Sequence, residues 1–513
     1  MRALFRFATI VAVLAFNHTA ASAATGAVLG YEDARHLLNR TGFGATHAEI
    51  EHYVGMSRAE AAGALLDAVR ATAVTPPPQS VVAMPLRYPR RGAGASESEL
   101  KLFRQQQVRE GLELRGWWIG EMLATPSPLT ERMTLFWHNH FVSSQRKVKL
   151  AELMYRQNAT LRGQALGNFG TMLHAIARDP AMVVYLDSAQ NKRGAPNENF
   201  ARELMELFTL GEGNYTERDV KEAARAFTGW SLDRDSGAFR FRPFLHDFGS
   251  KTVLGRTGNF DGDDVIDILL AQPATAEFVT RKLWREFISP EPDAAEVTRI
   301  ARRFRESGYD IKAAVYALLI SDDFYARPNR GVLVKSPVNL VVGTLRQFGL
   351  HPADTIPFAV AAAGMGQNLF APPNVRGWPG QEAWINTASL LARKQFLDRL
   401  LRADGGSPRM APATAADPMV SMPAAGLDRS PEEGNDETRK LRSMRAVDRG
   451  LRSVQFDSKS WLAQWKVPGD ANARSDAAVR LLFAVPPQAR PAAGEDALAM
   501  LRGLVLDAAF ELE

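Results

Sequence analysis

The sequence predicts a mainly α-helical, multi-helical globular fold with one small β hairpin. Apolar residues recur at helical spacing along most of the chain; Phe200, Leu204, Leu207 and Phe208, for example, share one face of a helix. Alternation at the two-residue period of a strand is scarce, and it is concentrated near residues 239–254, where the hairpin is expected. We therefore expect helices, rather than a sheet, to build the core.

Residues 1–23 have the pattern of a secretory signal peptide. Arg2 and Arg6 flank the start of the apolar run FATIVAVLAF, and Ala21-Ser22-Ala23 is a small-residue cleavage site. The two arginines are not adjacent, which favours the general secretory route over the twin-arginine route. The mature protein is expected in the periplasm or outside the cell, and the sequence predicts no membrane span.

Charge and cysteine content exclude several classes of function. The formal net charge is +5, and removal of the two signal-peptide arginines lowers it to +3, so no nucleic-acid partner is expected. The chain has no cysteine, which excludes disulfides, thiolate zinc sites and iron–sulfur clusters. A glycine-rich phosphate loop and a serine nucleophile elbow are also absent from the sequence.

The composition divides the mature chain into three parts. Residues 24–402 form the main helical domain. Residues 403–437 are rich in alanine, proline and glycine and are expected to be a flexible linker. Residues 438–513 form a C-terminal helical segment, with Trp461, Leu462 and Trp465 as its expected anchor.

The segment FWHNHF follows a helix that begins at Ser127-Pro128. A helix continued through it places Phe136, Trp137 and His140 on one apolar stripe and points His138 elsewhere. A helix that ended by Trp137 would instead aim the imidazoles of His138 and His140 to one side, which is metal-ligand spacing. The alternative is that His140 is a core histidine with one satisfied nitrogen, and the clean stripe favours it.

The stretch Asn197–Trp230 predicts two antiparallel helices joined by a short glycine loop. Asn197 can cap the first helix, and Gly211 can end it in the left-handed conformation. Thr216 and Asp219 have the spacing that satisfies the free amides of the second helix.

Glu203 and Glu206 lie along one edge of the first helix's apolar stripe. Half-buried carboxylates in such a place could ligate a metal or move protons, because burial and shared charge shift their pKa values. The alternative is a set of ion pairs, with Glu206 meeting Arg202 one turn earlier.

Two loops carry the other candidate residues. His246 and Asp247 lie in a loop near the expected hairpin, where functional residues are often found. Residues 368–384 (NLFAPPNVRGWPGQEAW) read as a long irregular segment, in which Trp378 and Trp384 could stack on a sugar ring or pin the loop to the core. Together with Arg376 they form the candidate ligand-binding set.

Five long motifs resemble the bacterial exported family catalogued as domain of unknown function 1800. They are NENFARELMELFTLGEGNYTE, FWHNHF, HDFGSKTVLG, VKSPVNLVVGTLRQFG and MGQNLFAPPNVRGWPG. The likeness extends from about Leu37 to Phe396 and is weaker towards the C-terminus. The resemblance implies export and no established reaction. It also implies a possible partner, because members are often encoded beside an exported family resembling phosphatases and sulfatases.

Two functions are compatible with these observations. The first is an exported protein that binds a partner protein or a glycan outside the cytoplasm. The second is a metal-dependent hydrolase, with Glu203, Glu206 and Asp247 as candidate catalytic residues. Its candidate metal ligands are His138, His140, His246 and Glu203, a set that suits zinc, manganese or iron. No cofactor is certain from the sequence.

Overall fold

The computed structural model describes residues 26–82, 96–233, 236–402, 447–448, 450–451, 454–465, 471–491 and 495–513. The predicted signal peptide and the predicted linker therefore lie outside the described residues.

Helices dominate the described chain, as the sequence predicts. The first group consists of α1 (Tyr31–Thr41), α2 (His47–Tyr53), α3 (Arg58–Asp67), α4 (Gln79–Val82), α5 (Glu97–Ala124), α6 (Pro128–His140), α7 (Gln145–Val148), α8 (Ala151–Gly163), α9 (Phe169–Ala177) and α10 (Pro180–Tyr185). The long helix α5 crosses the interior, where Trp118 and Ile119 are fully buried. Gly116 permits a close approach to the following layer, because a Cβ there would lie 2.6 Å from Cγ1 of Ile356.

The middle of the chain contains the central helix pair and the strands. It consists of α11 (Asn199–Glu203), a π-helix (Leu204–Thr209), α12 (Glu217–Ala226), β1 (Trp230–Leu232), β2 (Phe239–Phe241), β3 (Lys251–Val253) and β4 (Arg256–Gly258). Thr216 and Asp219 form the reciprocal capping box at the start of α12, as the sequence predicts. Gly211 has a φ of 79°, which confirms the left-handed stop after the first helix.

The strands form two separate antiparallel pairs where the sequence predicted one. In the first pair Trp230 lies opposite Phe241, and in the second Lys251 lies opposite Gly258. The predicted strand around Phe239 therefore pairs with the residues before it, Trp230–Leu232, and not with the residues after it.

The third group of elements completes the main helical layers and the C-terminal part. It consists of α13 (Gly262–Leu270), α14 (Pro273–Phe287), α15 (Ala294–Glu306), α16 (Ile311–Leu319), α17 (Asp322–Tyr325), α18 (Pro337–Gln347), α19 (Ile356–Gly364), α20 (Thr387–Arg402), α21 (Ser458–Ala463), α22 (Ala471–Leu482) and α23 (Ala497–Leu506). No helix among the described residues is long and apolar enough to cross a membrane.

The C-terminal helices pack onto the main body rather than standing apart from it. Trp461, expected as an anchor, is buried, stacks on Phe348 with ring centroids 4.9 Å apart, and donates to the Gln347 carbonyl at 2.9 Å. Leu512 forms a β-bridge with Val334, and Glu513 accepts a hydrogen bond from Arg132 at 3.1 Å. The C-terminal segment therefore contributes to the same core.

Candidate functional site

The FWHNHF segment meets the irregular loop that contains Trp378. Helix α6 continues to His140, so the helical interpretation of this segment is confirmed and the extended alternative is wrong. Asn139, between the two histidines, accepts from the Trp378 amide at 2.7 Å and donates to the Trp378 carbonyl at 3.4 Å. Gly377 is required beside it, because a Cβ there would lie 2.2 Å from the Asn139 side-chain oxygen. The two segments are therefore joined by hydrogen bonds between the Asn139 side chain and the Trp378 backbone.

His138 lies in an aromatic environment. Its ring centroid is 5.5 Å from that of Trp118, 5.4 Å from Phe370 and 5.7 Å from Trp378. Burial lowers the pKa of His138 to about 3, so the imidazole is neutral at physiological pH. Its Nε2 has no hydrogen-bond partner among the described residues. Packing against the loop is the role that these contacts support.

His140 is held by the π-helix and by a lysine. The Nε2 atom lies 3.1 Å from the Phe208 carbonyl oxygen and therefore carries the proton, and Nδ1 accepts from Lys282 Nζ at 3.0 Å. Lys282 also donates to the Leu207 carbonyl at 3.1 Å. Burial and the neighbouring Lys282 hold the pKa of His140 well below its usual value. His140 is therefore a core histidine, as the packing interpretation predicted, with both nitrogens rather than one satisfied.

The two carbonyls bound in this way belong to the end of the π-helix. A π-helix hydrogen-bonds five residues apart, as Leu210 N does to Met205 O at 2.8 Å, and such segments are frequent at functional sites. Lys282 and His140 accordingly satisfy carbonyls that a widened helix leaves without amide partners. Lys282 was not among the predicted residues, because nothing in its local sequence indicates which helix it faces.

The carboxylates of Glu203 and Glu206, on the same helical segment, are both partly buried. Glu206 accepts from the Tyr215 hydroxyl at 2.9 Å and from Arg376 at 3.0 Å. The expected pair between Glu206 and Arg202 is not formed. Arg202 instead binds Glu198 and Glu217, because the helix widens at Leu204 and a residue four positions later no longer lies above it.

Glu203 differs from its neighbour. The structure gives it no hydrogen bond or ion pair to the described residues. Burial, with the charge of Glu206 as the next cause, raises the pKa of Glu203 above its usual value. Glu203 is thus a half-buried carboxylate that takes up protons more readily than an exposed one.

Of the predicted ligand-binding set, the structure exposes only the arginine. Trp378 is 4% exposed and Trp384 is 7% exposed, so both indoles are buried and pin the loop to the core. Their faces are not available for stacking on a sugar ring. Arg376 is largely exposed, and it pairs with Glu206 and with Glu212, the latter at 3.1 Å.

His246 and Asp247 anchor a surface loop. His246 is buried and its Nδ1 lies 2.8 Å from the Thr228 carbonyl, while the Thr228 hydroxyl accepts from the Asp247 amide at 2.8 Å. The carboxylate of Asp247 accepts from Arg225 Nε at 2.8 Å and from the Gly249 amide at 2.8 Å. The Arg225 hydrogen bond lowers the pKa of Asp247 to about 2. These bonds fix the loop backbone.

The anchored loop presents three phenylalanines to solvent, which we call the phenylalanine surface. Phe241, Phe244 and Phe248 are 41%, 71% and 56% exposed. The rings of Phe241 and Phe248 pack edge-to-face with the buried His246 ring, with centroids 5.4 Å and 4.7 Å away. In the sequence FRFRPFLHDF, the pattern of aromatic residues predicts a strand, and it does not by itself indicate that these rings are exposed.

The four predicted metal ligands are not brought together. His138, His140 and His246 have the separate surroundings described above. Among the described residues, no group of three or more histidine, aspartate or glutamate side chains is arranged to hold a metal ion. The binding of zinc, manganese or iron stays a prediction, for which a metal analysis is the test.

A family model described as a protein of unknown function (DUF1800) matches residues 36–499. The chain belongs to the DUF1800 family. The match extends beyond the part of the sequence, up to Phe396, in which the resemblance is strongest, and so includes most of the C-terminal helices of this DUF1800 protein. No curated protein and no solved structure matches the chain.

Proposed function

We propose that this DUF1800 protein binds a partner protein outside the cytoplasm through the phenylalanine surface. The observation that carries the proposal is the exposure of Phe241, Phe244 and Phe248 within eight residues, at the end of β2 and in the loop that follows it. Single exposed apolar residues are ordinary, whereas adjacent exposed aromatic side chains are typical of interaction sites.

The rigidity of the loop supports this proposal. The hydrogen bonds of His246 and Asp247 hold the backbone, so the rings are presented without a large loss of loop freedom on binding. Aromatic anchors that are already ordered contribute most of the binding energy in many interfaces. His246 and Asp247, expected as metal ligand and catalytic residue, act here by supporting this surface.

The charges around the phenylalanine surface indicate the character of the partner. Lys192 and Arg193 are exposed beside it, and the Arg193 amide donates to the Leu245 carbonyl at 2.7 Å. Arg240, in β2, is also exposed and forms a salt bridge with Asp233 at 3.5 Å. A basic rim around apolar rings suits a partner surface with apolar pockets and acidic edges.

A protein partner is favoured over a glycan. The buried indoles of Trp378 and Trp384 offer no stacking face, and phenylalanine has no polar group with which to bind sugar hydroxyls. The first partner to test is the exported phosphatase- or sulfatase-like protein that the family resemblance implies.

The test combines cross-linking with matched variants. A photoreactive benzoylphenylalanine placed at position 244 should give one specific adduct in intact cells, and the same group at Leu102, 64% exposed in α5, should not. With the partner identified by mass spectrometry and purified, the double variant Phe244→Ser/Phe248→Ser should bind about 100-fold more weakly, since each buried ring contributes about 1.5 kcal/mol or more.

The control is Leu102→Ser, which removes an equally exposed apolar side chain elsewhere and should leave the affinity unchanged. Adducts of equal yield from positions 244 and 102, or unchanged affinity in the double variant, would refute the proposal. A native far-UV spectrum of the double variant would show that its fold is intact.

The location outside the cytoplasm has its own test. The pattern of residues 1–23 supports export, and mass spectrometry of the protein recovered from the periplasm or medium should give a mature chain that begins at Ala24. A protein that retains Met1 and stays in the cytoplasm would contradict this part of the proposal.

A further inference from the structure

A second site lies away from the phenylalanine surface, in a cavity of about 410 Å³. It is formed by the end of α1, the turn that follows, helix α2 and the start of α6. Its lining residues include Phe43, Ala48, Leu65, Pro126 and Leu129. Cavities of this volume are in the range that binds small molecules.

The walls of the cavity are tightly positioned. The turn contains Gly42, where a Cβ would lie 2.9 Å from Cβ of Pro128. It also contains Gly44, which has a φ of 68° and where a Cβ would lie 2.9 Å from the Gly343 carbonyl oxygen. Both positions tolerate only glycine without displacement of their neighbours. The turn is therefore wedged between α6 and α18, and the cavity is a fixed feature of the fold.

The charges that line the cavity compensate each other. Arg346 donates from Nη2 to Glu49 at 2.6 Å, and its remaining nitrogens donate to the carbonyls of Gly44 at 3.3 Å and Leu123 at 3.4 Å. Glu49 also accepts from the Thr46 amide at 2.8 Å. Arg346 and Glu49 are already paired with each other, so neither is free to pair with a charged ligand group. Burial of such a group in this cavity would therefore be unfavourable.

Two neighbouring lining residues, His52 and Tyr53, leave polar groups for a ligand. The hydroxyl of Tyr53 has no hydrogen-bond partner among the described residues, and the His52 ring packs beside the Tyr53 ring at 5.3 Å. Ala48 and His52 are exposed, so this end of the cavity opens to solvent. Apolar walls with hydrogen-bonding groups at the open end alone, the Tyr53 hydroxyl and the His52 imidazole, match an uncharged ligand with one polar end.

We propose that this cavity binds an uncharged, mostly hydrocarbon molecule with one hydroxyl or carbonyl group, which meets the Tyr53 hydroxyl. A cavity of about 410 Å³ lies within the volume range of small-molecule sites and accommodates a short alkyl chain. This site is separate from the phenylalanine surface, and it does not depend on the proposed partner protein.

The experiment uses the mature full-length protein and three probes of one chain length. Calorimetric titration should show saturable 1:1 binding of 1-octanol, and binding of octanoate and of octylammonium should be at least about tenfold weaker because neither charge is compensated. Tyr53→Phe should weaken octanol binding several-fold.

The decisive variant is Ala48→Phe, which fills the cavity from its exposed side and should abolish octanol binding. Ala64→Phe, at an exposed position of α3 outside the cavity, is the matched control and should bind as wild type. The proposal is overturned if octanol gives no saturable heat, if octanoate or octylammonium binds equally well, or if Ala48→Phe binds like the control. Since Ala48 is exposed, the variant is expected to fold, and its melting temperature checks this.

Discussion

The buried Lys282 should make the free energy of unfolding depend on pH, and the substitution Lys282→Met should remove this dependence. Burial is the main cause that lowers the pKa of Lys282 from 10.5 to about 7 in the folded state. The folded protein therefore releases this proton near pH 7, and the unfolded chain retains it to about pH 10.5. Because the unfolded state binds more protons between these values, stability rises with pH across this window.

The magnitude follows from the two pKa values. Their separation corresponds to about 5 kcal/mol of destabilisation at pH values below 7, at about 1.4 kcal/mol per pKa unit. This penalty is relieved as the pH rises, by about 2–3 kcal/mol between about pH 7.5 and about pH 9.5. The pKa of His140 is well below its usual value, so this neighbour stays neutral throughout the window.

The assay compares wild type with Lys282→Met, which keeps the length of the side chain and removes its charge. The free energy of unfolding, from urea titrations at three pH values across the window, should rise more steeply with pH in the wild type than in the variant. Lys221→Met, at an exposed position of α12, is the control and should keep the wild-type slope. A difference between wild type and Lys282→Met that is the same at all three pH values would refute the reasoning.

Two further predictions concern the interior and the carboxylate edge. Glu131→Gln should lower the free energy of unfolding by about 3–5 kcal/mol, because Arg162 would be left buried without the carboxylate that it binds at 2.6 Å. The control is Glu296→Gln, in an exposed ion pair, which should lower it by less than about 1 kcal/mol. Denaturant titration measures both values, and equal effects would contradict the burial argument. If Glu203 is a metal ligand, the purified protein should contain near-stoichiometric zinc, manganese or iron. The variant Glu203→Gln should then lose the metal, and its melting temperature should stay nearly unchanged. Elemental analysis that finds all three metals substoichiometric in the wild type would contradict this prediction.

The sequence was sufficient for the fold class and for local helix signals, because these depend on spacing within a few residues. Thr216 and Asp219 form the predicted capping box, and the stripe through Phe136 and His140 is buried as expected. The widening of the helix at Leu204 was not predictable, because an α-helix and a π-helix bury nearly the same apolar residues over so short a length.

The candidate site was harder to predict, since it depends on contacts between distant segments. Lys282 reaches His140 across 142 positions of the chain, and no local pattern links the two. His246 and Asp247 were correctly placed in a loop, but their partners Thr228 and Arg225 decide whether they face a ligand or support a backbone. A histidine next to an aspartate is typical of metal-binding or catalytic sites, which is why both were candidates. The hydrogen bonds that they form with Thr228 and Arg225 explain why both residues support the loop backbone.

The pair between Arg132 and Glu513 has a consequence for the timing of folding. The two residues are 381 positions apart, so the pair forms only when nearly all of the intervening chain is available. Contacts across such separations require a large loss of chain entropy before they contribute stability, and they slow the final closure of a fold. If the chain is exported unfolded through a secretion channel, as we propose, this delay is an advantage, because the interior cannot close while much of the chain is still in transit.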